Sequence, residues 1–300
     1  MASPELKMVL DMLAANPLLG EVPAEEMRAG LEAMAGGFAV APDVAIERLE
    51  VAGMAAEWLT PPGVSPSHAV LYLHGGGYVV GSLNTHRDLA SRVGRAAGAA
   101  ALLIDYRLAP EHPHPAAVDD AVAAYRWLLA RGLSPERLAI AGDSAGGGLT
   151  IATLVALRDR DLPLPAAGVC FSPWVDMEAS GESMHTNLDD PMLSRALILH
   201  FARLYLGVTA PRTPLASPLH ADLRGLPPLL VQASRAEALR DDATRLVERA
   251  RAAGVACELE LTDEVPHVWQ IFADVLPEAR EALDRAGEFL RRRLGTSGNR

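Results

Sequence analysis

The chain has 300 residues, half of them hydrophobic, enough for one large α/β domain or two small ones, which excludes general disorder. Lys and Arg number 27 against 38 Asp and Glu, a net charge of −11. So acidic a chain excludes a nucleic-acid or anionic-membrane binder, whose phosphate contacts need clustered cations.

In chain order, residues 1–40 read as two helices. Leu6, Val9, Leu10 and Leu13 recur at helical spacing, residues 17–20 break the pattern, and Pro23 opens a second helix with Met27, Leu31 and Met34. Glu5, Lys7 and Asp11 interrupt the first apolar stretch, so it does not read as a signal peptide. No run reaches the roughly 18 apolar residues that span a bilayer, and the chain is expected to be soluble and cytoplasmic. Residues 44–60 shift to a strand period, with a turn at Gly53. Short apolar runs at 69–73, 99–104, 138–141, 166–171, 228–233 and 255–261 then read as strands. Helices are expected at 116–129, 147–158, 194–206, 239–252 and 273–294; Arg291, Arg292 and Arg293 suit a helix C-terminal turn. Apolar strands alternating with amphipathic helices predict an α/β fold, a mostly parallel eight-stranded sheet covered by helices on both faces. Residues 176–225 break the rhythm, are rich in Pro and Ser, and read as an inserted cap. Cys170 and Cys257 lie in apolar strand-like segments and read as buried thiols of a reducing compartment; they make neither a disulfide framework nor a four-thiolate zinc site.

Gly142-Asp143-Ser144-Ala145-Gly146 is G-x-S-x-G between a strand and a helix, the setting of a nucleophile elbow. The sharp turn would hold Ser144 Oγ over the sheet, with a helix N-terminus behind it to receive negative charge. His74-Gly75-Gly76-Gly77 also follows a strand and matches an oxyanion loop. It lacks the Gly-Lys-Ser/Thr of a phosphate loop and the spacing of a dinucleotide fingerprint. A base should follow the serine. Of His185, His200, His220 and His267, only His267 falls in a loop at a strand's C-terminal end. The orienting acid should follow the strand at 228–233, where Glu237 sits in the loop and Asp241 stands in reserve near the helix start.

Four segments carry a resemblance: residues 73–78, Asp105-Tyr106-Arg107-Leu108-Ala109-Pro110-Glu111-His112-Pro113, the 142–147 elbow, and Pro266-His267. Together they resemble the bacterial hormone-sensitive-lipase-like esterases of the α/β-hydrolase superfamily, in the branch with Asp before the nucleophile. The resemblance implies an α/β-hydrolase domain over 41–300, with residues 1–40 and part of 176–225 forming a helical cap. In that family the acid opens a D-P-L-x-D motif; here the segment reads Glu237-Ala238-Leu239-Arg240-Asp241, with Glu in place of Asp. His112 and His114 match the family's Pro-rich structural loop and are not read as metal ligands. Trp174 and Tyr78 should lie near the pocket, though both could equally be packing residues.

The expected activity is serine-dependent hydrolysis of short- to medium-chain carboxylic esters. Ser144 would attack, His267 act as base, Glu237 orient it, and the N–H groups of Gly76, Gly77 and Ala145 receive the oxyanion. No cofactor or metal is called for. The family also implies a homodimer in many members. Lactone hydrolysis or deacetylation of a specific metabolite would use the same residues, and an amidase is less favoured. A non-catalytic receptor of the same fold is disfavoured because such receptors typically lose the histidine that this chain keeps.

Overall fold

The computed structural model describes residues 3–15, 22–35, 37 and 39–296. The expected break at 17–20 lies outside them. Two helices come first, α1 (Pro4–Ala15) and α2 (Ala24–Ala35). The strands and helices that follow are β1 (Ala45–Val51), β2 (Met54–Thr60), β3 (Ser65–Leu73), α3 (Leu83–Ala97), β4 (Ala99–Ile104), α4 (Ala116–Ala130), β5 (Leu138–Asp143) and α5 (Ala145–Asp159). Then come β6 (Ala167–Phe171), α6 (Ser183–Thr186), α7 (Arg195–Leu206), β7 (Leu229–Ser234), α8 (Arg240–Ala252), β8 (Cys257–Thr262) and α9 (Pro277–Leu294).

The eight strands form one sheet in the order β1-β2-β4-β3-β5-β6-β7-β8. Only β2 runs antiparallel to its neighbours; the rest is parallel. Every residue of β4, β5, β6 and β7 is buried, which is why these strands read as unbroken apolar runs. The edges differ. β1 is mostly exposed and carries Glu47, Arg48 and Glu50, while β8 is mostly half-buried and carries Glu258 and Glu260. Charge on an edge discourages further strand pairing.

Each face of the sheet has its own core. Ala69, Leu71 and Leu73 of β3 point into one, shared with α4, α5 and α8. Val70 and Tyr72 point into the other, shared with α1, α3 and α9. This is the period-two alternation of a strand buried on both sides. α9 and α3 pack so closely that a Cβ on Gly287 would collide with the carbonyl of Ala96.

The elements depart from the sequence expectation in several places. α3 was not expected. Its buried positions include Thr85, His86, Asp88 and Ser91, so no continuous apolar stripe marks it. Its ends are nevertheless well signed: the Ser82 hydroxyl accepts from the Asn84 and Thr85 amides, and Gly98 closes it at φ 64°. β3 begins at Ser65, earlier than its apolar run. The last helix begins at Pro277 instead of residue 273: Leu276 is extended and Pro277 takes the first helical position.

Candidate active site

The elbow is set by two requirements. Ser144 sits at φ 52°, ψ −119°, a strained conformation for a residue with a Cβ. Its neighbours leave no room: a Cβ on Gly146 would overlap the Leu73 carbonyl, and one on Gly142 would overlap the Gly146 carbonyl. Small residues at these positions let β5, β3 and α5 converge tightly enough to push Ser144 out of the sheet edge. The amide of Ser144 donates to Phe171 O at 2.8 Å, and its carbonyl accepts from Trp174 N at 2.9 Å, which fixes the turn from the β6 side.

His267 and Glu237 reach this serine from the ends of β8 and β7. Ser144 Oγ lies 2.9 Å from His267 Nε2, and His267 Nδ1 is hydrogen-bonded to Glu237 Oε2. A carboxylate only accepts, so Nδ1 carries the proton and Nε2 is left to accept from the serine hydroxyl. The other Glu237 oxygen accepts from Ser234 N at 2.8 Å. Both Glu237 and His267 are buried, while Ser144 is half-buried. Burial alone would pull the His267 imidazole down. The Glu237 hydrogen bond and charge, with the charges of Asp190 and Asp143, outweigh it and hold the ring above its ordinary value. Asp241 is engaged elsewhere: it accepts from Ser183 N at 2.8 Å and pairs with Arg240. His185, His200 and His220 lie on α6, on α7 and in the 3₁₀ turn Pro218–His220, and none of them lines the cavity over Ser144.

The glycine loop after β3 lines the same cavity as Ser144 through Gly76 and Gly77. Gly77 sits at φ 62°, and a Cβ there would run into the Phe201 ring. Ala145 N is the first N–H of α5 and has no carbonyl one turn back. The loop is braced from three sides. Tyr106 OH donates to His74 O at 2.7 Å, Ala109 N donates to Tyr78 O at 2.9 Å, and Gly75 N donates to Asp143 Oδ1 at 3.2 Å. Asp143 is a buried carboxylate that also accepts from Tyr72 OH at 2.8 Å and faces His86 Nε2 at 3.3 Å. Burial would raise its pKa, but the charge and hydrogen bond of His86 and the Tyr72 hydroxyl hold it below the ordinary carboxylate value. His74 is fully buried, and burial plus the His86 charge press its pKa down to about 3, so it is a neutral brace. The Asp143 and His86 pair was not assigned from sequence. Asp143 stood in plain view inside the elbow, but its partner lies on the unexpected helix α3.

The cavity over Ser144 holds about 90 Å³ and is mainly apolar. Leu31 and Met34 of α2, Ile198 and Phe201 of α7, and Met192 and Leu193 line one part of it; Val268, Ile271 and Phe272 line another. Trp174 also lines it, held by a hydrogen bond from Nε1 to Asp176 O at 3.0 Å. Tyr78 lies outside the lining and takes the packing place that its residue type left open. It is buried, stacked on Tyr205 with ring centroids 3.7 Å apart.

Among the described residues, one group has side chains that could share an ion: Asp176, Glu178 and His220. Arg245 already pairs with Asp176 and Arg212 with Glu178, so cationic partners occupy its carboxylates. His114 is packed edge-on against Tyr205. No helix among the described residues is long and apolar enough to cross a membrane.

A family model of the α/β hydrolase fold matches residues 70–271. An acetyl-hydrolase from Streptomyces hygroscopicus is 46% identical over 299 residues, covering 98% of this chain and 99% of that relative. The carboxylesterase NlhH of Mycobacterium tuberculosis is 39% identical over 235 residues, 75% of this chain and 73% of its own. Among solved structures, an esterase from the bacterial hormone-sensitive lipase family is 53% identical with a TM-score of 0.95, covering 98% of this chain and all of that one. The chain therefore belongs to the α/β-hydrolase fold family, in its bacterial hormone-sensitive-lipase-like branch.

Proposed function

We propose that this protein is a serine carboxylesterase acting on short- to medium-chain esters through an acyl-enzyme. The observation that carries the reading is the chain of hydrogen bonds from Ser144 Oγ through His267 to Glu237, opening onto an apolar cavity. His267 takes the hydroxyl proton as Ser144 attacks the ester carbonyl, and Glu237 stabilises the imidazolium that forms. The N–H groups of Gly76, Gly77 and Ala145 receive the oxyanion. His267 then protonates the leaving alcohol, and water releases the acid by the same steps in reverse.

In this reading α2 and α7 act as a cap. They supply one wall of the acyl cavity, whose volume is well below the roughly 300–1,000 Å³ of a cleft for drug-sized ligands. One relative is named an acetyl-hydrolase, which agrees with a short acyl group, and another a carboxylesterase, which agrees with the ester class. Both cysteines are free and buried, in keeping with a cytoplasmic setting. A homodimer belongs to the same reading, and light scattering coupled to size exclusion checks it.

A series of p-nitrophenyl esters from acetyl to palmitoyl, with lactones added, tests the substrate class. kcat/KM should peak at short chains and fall steeply for long ones. A maximum at palmitoyl would contradict the small-cavity reading, and a marked preference for lactones would move the substrate class.

A further inference from the structure

The 187–193 segment, between α6 and α7, touches the loop that carries Glu237 at three backbone atoms. Asn187 Nδ2 donates to Arg235 O at 3.0 Å and to Glu237 O at 2.8 Å. Asp190 Oδ2 accepts from Ala238 N at 2.8 Å. The carbonyl of Glu237 and the next amide along the chain are thus held by two side chains of one short segment. The other Asp190 oxygen accepts from Met192 N at 2.9 Å and Leu193 N at 3.1 Å, and both of those residues line the acyl cavity. Asn187 and Asp190 are half-buried, and with Glu237 and His267 they line a surface depression behind the triad. This loop needs an outside clamp. Glu237 lies in neither β7 nor α8, and apart from His267 its carboxylate is held by the amide of Ser234, the last residue of β7.

We propose that Asn187 and Asp190 are positioning residues for the triad acid, clamping the Glu237 loop onto His267 and tying that clamp to the acyl-cavity wall. The proposal rests on the esterase reading above. A side-chain displacement of about 1 Å at a catalytic group can cost about a hundredfold in rate, so a clamp on the acid's own backbone acts directly on kcat. Asp190 also adds negative charge on the far side of His267. The other charged groups facing that ring are Glu237 from the β7–α8 loop and Asp143 from the end of β5. His86 of α3 lines the front cavity, and the exposed Glu264 and Asp189 line the depression behind.

The two residues should separate in kinetics. Beyond its neighbour Thr186, the Asn187 side chain touches the acid loop and no cavity-lining residue, so N187A should lower kcat on p-nitrophenyl butyrate about tenfold and leave KM unchanged. Asp190 touches both the loop and the cavity wall, so D190A should lower kcat and raise KM together. D190N removes the charge and should move the acid limb of the kcat/KM profile to lower pH. Each change is then repeated in an E237A background. There the loop has no acid to position, so N187A and D190A should alter kcat by less than about twofold.

A kcat that is unchanged by N187A, or a loss that persists in full in the E237A background, would overturn the proposal in favour of a merely structural strap. Should D190A fail to give a cooperative melt, N187A decides alone. S144A is run alongside. If it stays active the esterase reading itself falls; if it is inactive while the cycle is additive, only the clamp falls.

Discussion

At position 237 the acid is a glutamate, and its extra methylene relative to an aspartate sets what the loop must do. The Glu237 carboxylate spans from the Ser234 amide to His267, so a shorter side chain at the same backbone position falls short. E237D, retracting the carboxylate by about 1.5 Å, should lose most of kcat. E237Q keeps the shape but not the charge and should lose about 10⁴-fold. D241A should stay within a few-fold of the parent, since Asp241 serves Ser183 and Arg240; a loss confined to D241A would reverse the assignment. The pH dependence follows from the same pair. The neutral form of His267 is the base, and its folded pKa lies above the ordinary 6.5. Activity should therefore fall as pH drops through a value above 6.5, and E237Q should move that limb to lower pH. A kcat/KM profile of each protein reads both limbs. Ser144, His267 and Glu237 were all legible as residue types at the ends of apolar runs. Asn187 and Asp190 were not, because they act through backbone groups that no spacing in the sequence relates to them.

Among the elements, α2 shows how a helix near the N-terminus is tied to the site. Arg28 donates to Val79 O and Ala109 O, both at 2.8 Å, and pairs with both oxygens of Glu111. One guanidinium thus joins α2 to the glycine loop after β3 and to the Pro-rich segment 105–113. The hydrogen bond and charge of Arg28 hold the Glu111 carboxyl down at about 2. The ion pair itself is largely solvent-facing and worth little; the two hydrogen bonds to carbonyls are the stronger tie. R28A should loosen α2, raise KM for butyryl esters several-fold through Leu31 and Met34, and change kcat less. An unchanged KM would detach α2 from the acyl cavity. The helix itself was readable from Pro23 and its apolar spacing, whereas its anchor was not, since Arg28 and Glu111 are 83 residues apart. α3 shows the reverse. Its cap residues Ser82 and Gly98 were present in the sequence, but its buried polar face hid the period by which helices are recognised.

Across the whole molecule, parallel strands deliver their C-terminal ends to one edge, where α/β sheets hold their sites. The glycine loop follows β3, Ser144 follows β5, Trp174 follows β6, Glu237 follows β7 and His267 follows β8. The strand count and the one-sheet organisation could be anticipated, because strands buried on both faces leave apolar runs that are hard to mistake. The strand order and the packing of α2 and α7 around the cavity depend on contacts between distant segments, and periodicity does not encode these. The negative charges that act on His267 are those of individual carboxylates, Glu237, Asp190 and Asp143. The most direct measurement is steady-state hydrolysis of p-nitrophenyl butyrate by S144A, with circular dichroism taken on the same sample. A loss of kcat on the order of a million-fold with an unchanged spectrum is expected. An S144A protein that folds and keeps most of its esterase activity would contradict the assignment of Ser144 as nucleophile, and with it the mechanism.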